Sequence, residues 1–154
     1  MTPSTFTRLP RWLLRGHGVA LVALALGNAA VSFRATLAPV EGPFRFLHEN
    51  PAVEIGLLQA YLLMALVGGV LFAGSFARRI ARFDALGIAA HLVPLIALVA
   101  FQPLVVASMG PGTVWMSLGI HATLVTVELC ALLLQLPALR AGSPPGPASR
   151  FRLT

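Results

Sequence analysis

Four long apolar runs dominate this sequence and leave few folds open to it. They cover about residues 12–33, 53–76, 85–108 and 114–136, with Gly, Pro or Arg at their borders. Each run is long enough to cross the roughly 30 Å hydrocarbon core of a bilayer as a helix. Because backbone groups in lipid must find their hydrogen bonds within the chain, the runs predict an all-α integral membrane four-helix bundle.

The composition supports a membrane protein rather than a soluble domain. Of the 154 residues, 57% are hydrophobic and only 10% are charged, whereas soluble domains carry about 25% charged residues. We expect one four-span transmembrane domain over residues 1–140 and a flexible tail over 141–154, because the tail is rich in Pro, Gly and Ser. The first run is too long for the apolar core of a cleaved signal peptide, so we interpret it as a retained helix.

The arginines, which supply every basic side chain since the sequence has no lysine, predict the orientation. Nine lie on one side of the predicted bundle and two on the other; the nine are Arg8, Arg11, Arg15, Arg78, Arg79, Arg82, Arg140, Arg150 and Arg152, and the two are Arg34 and Arg45. This bias places both termini in the cytoplasm, as in a multi-pass protein of a bacterial-type inner (cytoplasmic) membrane. The arginines are dispersed without a nucleic-acid-binding motif, so the net charge of +6 does not indicate a nucleic-acid partner.

Polar residues inside the spans are the candidate functional residues, because each costs free energy in lipid unless it is partnered. Counting the roughly 1.5 Å rise per residue, one from each span lies about 8 to 11 Å below the outer boundary: Asn28, Gln59, Gln102 and His121. They would either hydrogen-bond between helices or line a polar cavity near the outer face. The first loop above them carries His48 and Glu49, and Glu54 begins the second span.

Two further polar residues lie nearer the other boundary, at a depth of about 10 Å for His91 and about 14 Å for Glu128. They could form a buried structural pair or a proton relay. His91 and His121 are expected to differ in depth by about 14 Å. We therefore do not expect both of them to bind one heme iron.

The start of the second span, His48-x-x-Pro51-Ala52-Val53-Glu54, resembles a motif of the styrene oxide isomerases, His-x-x-Pro-Ala-Leu-Asn, at the same place. Gly16-His17-Gly18 at the head of the first span and Ala81-Arg82 before the third are also similar to that family. The resemblance implies a trimeric four-helix membrane protein with heme b, whose ferric iron acts as a Lewis acid on an epoxide oxygen. It implies that His48 is the axial ligand of the heme.

The candidate catalytic residues follow from the same resemblance and from where the sequence departs from it. Glu54 falls where the family has an asparagine that orients the substrate. The family's catalytic tyrosine in the third span has no counterpart in residues 85–108. Tyr61, the only tyrosine, lies seven residues after Glu54 and therefore on the same helical face. Glu54 and Tyr61 are accordingly the predicted catalytic pair.

Two classes of function stay open from the sequence. One is a heme isomerase that rearranges an apolar epoxide, taken up from the bilayer, to a carbonyl compound. The other is a non-enzymatic small subunit, or a partner of a larger membrane complex that binds a hydrophobic cofactor. Small residues that permit close helix approach favour a homo-oligomer, a trimer by resemblance; they are Gly16, Gly18, Gly68, Gly69, Ala73 and Gly74.

Overall fold

The computed structural model describes the backbone of residues 3–141 and the side chains of residues 8–136. This part of the chain contains five helices: α1 (Pro3–Leu37), α2 (Ala52–Gly74), α3 (Ala81–Ala100), α4 (Gln102–Met109) and α5 (Pro111–Ala141). All but α4 are long and apolar enough to cross a membrane, which confirms the predicted all-α membrane bundle. Except for its first residue, the predicted flexible tail lies outside the described residues.

The four long helices form a closed antiparallel bundle. Helix α1 packs against α2 and α5, and α3 packs against the same two helices from the opposite side. The closest approach joins α1 and α2, where a Cβ atom added to Gly18 would lie 2.6 Å from the carbonyl oxygen of Gly68. Only glycine permits two helix backbones to touch in this way.

One end of the bundle, which we call the arginine-rich end, is closed by hydrogen bonds from α1 to the end of α2. The Arg11 guanidinium donates to the carbonyl oxygens of Ser75 and Ala77 at 3.0 and 2.8 Å. Arg15 donates to the Ser75 hydroxyl at 3.3 Å, and its guanidinium lies 4.3 Å from the centre of the Phe76 ring. Arg11 thus satisfies carbonyl groups just after the end of α2, which have no helical partners.

The third span is shorter than the predicted range of 85–108. Helix α3 ends at Ala100, Phe101 leaves the helical conformation (φ −111°, ψ 20°), and a separate helix α4 begins at Gln102. Pro103 lies in the first turn of α4, where its missing N–H costs nothing, whereas inside a continuous helix it would remove a hydrogen bond. The outer end of the third span is therefore at Ala100.

The first loop folds back over the outer end of the bundle, opposite the arginine-rich end. Gly42 turns the chain with φ +97°, and a single 3-10 turn follows at Arg45–Leu47. Phe44 and Leu47 are buried against Ala35 near the end of α1. This packing fixes the position of the segment that contains His48 and leads into α2.

Candidate functional site

His48 lies directly after the 3-10 turn, and its side chain is exposed. Its Nδ1 atom is 3.4 Å from the carbonyl oxygen of Thr36, which is a long hydrogen bond. If Nδ1 carries the proton and donates it to Thr36, the lone pair of the ring is on Nε2. Histidines that bind metals commonly have this arrangement, because the second bond sets the tautomer and the ring orientation.

A cavity of about 850 Å³ opens beside His48, between the first loop and α4. Its walls combine apolar side chains, such as Val53, Leu57 and Leu104, with polar side chains of the first loop, which are Glu41, Arg45, His48, Glu49 and Asn50. Binding sites for small molecules and cofactors typically have volumes of roughly 300 to 1,000 Å³ and mostly apolar walls with a few polar groups. The cavity therefore has the size and lining of a cofactor site.

Glu54 and Tyr61 lie on another side of α2. The Glu54 side chain is 5% exposed, and its Oε1 atom accepts a hydrogen bond of 2.9 Å from the Ser32 hydroxyl on α1. Its Oε2 atom has no hydrogen-bond partner among the described residues. Tyr61 packs against the buried cluster under the first loop. Neither residue lines the 850 Å³ cavity, so one chain does not bring the predicted catalytic pair and His48 into the same cavity.

The four residues predicted to line an outer cavity point in different directions. Asn28, Gln59 and Gln102 are exposed, and none of them lines the cavity beside His48. His121 is half-buried and contacts His91. Similar depth in the membrane does not determine the direction of a side chain around its helix, and each helix is rotated independently of the others.

A second group of polar residues is buried inside the bundle and comes from α1, α3 and α5. His17, His91, Glu128 and Asp84 are between 0 and 5% exposed, and His121 is half-buried. We call these five residues the histidine chain. Such residues inside a membrane-spanning bundle are rare and commonly mark ion or proton pathways.

The hydrogen bonds of the histidine chain run in a line. The Nδ1 atom of His17 is bonded to Oε1 of Glu128, and its Nε2 atom lies 2.7 Å from Nε2 of His91. The Nδ1 atom of His91 lies 2.9 Å from Nδ1 of His121. The centres of the His17 and His91 rings are 4.9 Å apart and their planes are inclined by 27°, so the rings meet edge to edge through their Nε2 atoms. His17 thus stands between His91 and Glu128, which were predicted to pair with each other.

The expected offset of about 14 Å between His91 and His121 is wrong, because their rings contact each other. The error comes from the predicted outer end of the third span, which was placed at residue 108 instead of Ala100. Counted from Ala100, His91 lies about 14 Å deep, and His121 lies about 15 Å from the first residue of α5. The break before Pro103 therefore brings the two histidines to the same level.

Two carboxyl groups close the chain toward the arginine-rich end. The carboxyl group of Asp84, in the first turn of α3, lies near that of Glu128. The Gln135 amide donates a hydrogen bond to Asp84 Oδ2. Asp84 Oδ1 and Glu128 Oε2 have no hydrogen-bond partner among the described residues. Gly87 leaves room for the Glu128 carboxyl, since a Cβ atom there would lie 3.1 Å from its carboxyl carbon.

Sequence analysis missed the roles of His17 and Asp84. His17 entered only as part of a family-like triplet, and Asp84 lies one residue before the predicted third span. The signal that could have found His17 is its depth. It lies about 8 Å inside the first predicted span, counted from residue 12, close to the depth of His91.

The fold and these two sites define the class of protein: a multi-pass helical membrane protein with an outer cavity and a buried chain of ionisable side chains. Comparison with protein-family models, curated proteins and solved structures finds no match. Within residues 8–136, no group of three or more His, Cys, Asp and Glu side chains is arranged to hold a metal ion. A heme that uses one axial histidine does not require such a group.

Proposed function

We propose that this protein is a membrane-embedded heme b isomerase that opens an apolar epoxide and rearranges it to a carbonyl compound. One observation carries the proposal: His48, with its Nδ1 atom turned to the Thr36 carbonyl, borders a largely apolar cavity of about 850 Å³. In this arrangement Nε2 is available as a single axial ligand. The resemblance of the segment from His48 to Glu54 to the styrene oxide isomerases supports the same proposal.

The apolar wall, His48 and Arg45 fit a heme, whereas Glu41 and Glu49 add two carboxylates to the same wall. The side chains of Val53, Leu57 and Leu104 provide apolar surface for the porphyrin. The guanidinium of Arg45 can pair with a propionate carboxylate, a charge-assisted contact that arginine favours. A ferric heme bound through one imidazole supplies a Lewis acid that polarises the epoxide oxygen without redox change.

The protein's own acid–base chemistry is assigned to Glu54 and Tyr61. Glu54 is buried, and its Oε2 atom is free to hold or move a proton at a substrate oxygen. Tyr61, on the same face of α2, adds a hydroxyl group. Because neither residue lines the cavity of its own chain, the proposal includes a homo-oligomer, a trimer by resemblance. In it, an apolar substrate would arrive through the lipid bilayer between copies, and the Glu54 carboxyl would turn from Ser32 to meet it.

The axial ligand is tested by the variant His48→Gly, purified in mild detergent and followed by visible absorption. We expect the variant to lose the Soret band of bound heme and to regain it when free imidazole and heme are added, because imidazole can occupy the space of the missing ring. Glu49→Gln, a change next to His48 in the same cavity wall, serves as the matched control and should keep the heme. His91→Ala and His121→Ala should keep it as well.

An unchanged Soret band in His48→Gly would refute the ligand assignment. Loss of the band in His91→Ala or His121→Ala, with the bundle intact, would move the ligand to the histidine chain. Activity is measured separately, with a panel of apolar epoxides and detection of the carbonyl product. Heme-loaded protein that converts no epoxide but co-purifies with a larger membrane complex would favour the alternative, a cofactor-binding subunit without enzymatic activity.

A further inference from the structure

The hydrogen bonds of the histidine chain form a line and do not surround a common point, as ligands in a metal centre would. The bonds run from Glu128 through His17 and His91 to His121, and the Asp84 carboxyl lies near the Glu128 end. Both ring nitrogens of His17 and both of His91 are used in these bonds, each toward a different neighbour. The nitrogen lone pairs therefore do not converge on one point, as they would around a metal ion.

The chain extends into the middle of the membrane-spanning part. Asp84 lies in the first turn of α3, beside the arginine-rich end, and Gln135 holds its carboxyl from the last turns of α5. His121 is seven residues before Glu128 on α5, which places it about 10 Å deeper. It lies about 15 Å from the outer end of α5, close to the middle of a bilayer core of about 30 Å.

Neutral histidines satisfy every bond in this line in two ways. In the first, His17 donates from Nδ1 to Glu128, His91 donates from Nε2 to His17, and His121 donates from Nδ1 to His91. In the second, all three rings have the opposite tautomer and a protonated Glu128 donates to His17. Each state leaves no ring nitrogen of His17 or His91 unpaired, because a neutral imidazole has one donor and one acceptor.

We propose that the histidine chain transfers protons between the arginine-rich end of the bundle and the middle of the membrane, at His121. In the inward direction, Glu128 gives its proton to Nδ1 of His17, which releases its Nε2 proton to Nε2 of His91. His91 then releases its Nδ1 proton to Nδ1 of His121, and His121 releases its Nε2 proton to a basic group bound in the middle of the membrane; the reverse transfers return the three rings to their starting tautomers. Each ring gains one proton and loses one, so it stays neutral and no electrons are transferred.

The two carboxyl groups give this chain its entrance. Asp84 and Glu128 each have one buried oxygen without a partner, and a proton placed between these oxygens would pair them; by this route Asp84 would recharge Glu128 once it has given up its proton. Helix α2 meets α1 beside the chain through Gly68, which carries no side chain.

The protein offers a direct assay, because it contains only four histidines. Labelling with ¹⁵N-histidine therefore reports on His17, His91 and His121, with the exposed His48 as an internal reference. The full chain in lipid nanodiscs is transferred to deuterated buffer, and the exchange of the imidazole N–H protons is followed by NMR. We expect the His121 signal to exchange readily in the wild-type protein although the ring is half-buried, because the chain supplies deuterons from the arginine-rich end.

Glu128→Gln is the decisive variant, since glutamine keeps the size and can accept the hydrogen bond from His17 but cannot relay a proton. We expect exchange at His121 to slow by about 10²-fold, the lower end of what positioned proton-transfer groups contribute. Exchange at His48 should not change. Asp84→Asn should also slow the exchange at His121. Thr126→Ala, an exposed change on α5 next to the chain, is the matched control and should leave all four histidines unchanged.

Two results would overturn the proposal. If His121 exchanges in Glu128→Gln as fast as in the wild-type protein, its protons arrive by another route. If His121 in the wild-type protein exchanges as slowly as the amide groups buried in the bundle, the chain is a static structural network. Unchanged ¹⁵N shifts of His91 in Glu128→Gln would verify that the line of rings is intact when the rates are compared.

Discussion

The contact between Gly18 and Gly68 makes a quantitative prediction about what holds α1 and α2 together. A Cβ atom on Gly18 would lie 2.6 Å from the carbonyl oxygen of Gly68 and 2.7 Å from the backbone nitrogen of Phe72. Backbone atoms cannot rotate away, so the helices must separate by at least about 0.4 Å to reach even 3.0 Å. A gap of roughly 0.5 to 1 Å already removes a quarter to a half of each dispersion contact along the interface.

The variant Gly18→Ala should therefore lower the stability of the bundle. Overpacking of a closely fitted contact costs about 1 to 3 kcal/mol, and replacing a glycine within a helix by alanine returns about 0.5 to 1 kcal/mol. Gly16→Ala is the matched control. It lies on the same helix, and no atom is within 4 Å of the added Cβ, so this variant has only the stabilisation from replacing a helical glycine by alanine. We expect Gly18→Ala to be less stable than Gly16→Ala by about 1 to 3 kcal/mol.

The free energy of unfolding is measured in mild detergent by adding increasing fractions of a denaturing detergent and following helical circular dichroism. The reciprocal variant Gly68→Ala, whose Cβ would lie 2.8 Å from the Gly18 carbonyl oxygen, should behave similarly. The double variant should cost less than the sum of the two, because one separation relieves both clashes. Equal stability of Gly18→Ala and Gly16→Ala would refute the close approach of the two backbones.

Three other predictions concern orientation, catalysis and the arginine-rich end. A reporter fused after Thr154 should be active in the cytoplasm, in line with the arginine bias; a periplasmic signal would reverse the orientation. Glu54→Gln should retain heme but change the rate of epoxide opening and its dependence on pH, and an unaltered rate profile would exclude an acid–base role for this carboxyl. Arg11→Ala should lower the unfolding free energy by about 1.5 to 3 kcal/mol through the loss of its bonds to Ser75 and Ala77, whereas the exposed Arg8→Ala should have little effect.

The glycines show which helix contacts can be predicted from small residues in the sequence and which cannot. Their presence predicted close helix packing, and the structure uses Gly18 and Gly68 for this within one chain. Gly16 and Gly69 have open space around them and are the ones left for contact between copies. Sequence spacing could not assign these roles, because it does not tell which helix faces which. The homo-oligomer therefore stays a prediction.

The sequence by itself determined the class of fold and the approximate extent of the spans. Length and hydropathy are sufficient for this, because lipid forces each apolar run of about 20 residues to satisfy its own backbone as a helix. The break before Pro103 was readable only in part: a proline inside a helix removes a hydrogen bond, yet Pro94 lies inside α3 without ending it.

Only the tertiary structure decided which polar residues meet. Depth along a span follows from counting residues, but the rotation of each helix about its axis depends on how all the side chains pack. For this reason Asn28 and Gln59 face outward at the predicted depth, and Glu54 turns to Ser32 rather than to the cavity beside His48. His17 joins Glu128 across 111 positions of sequence because α1 and α5 are neighbours in the closed bundle, and no local pattern encodes that neighbourhood.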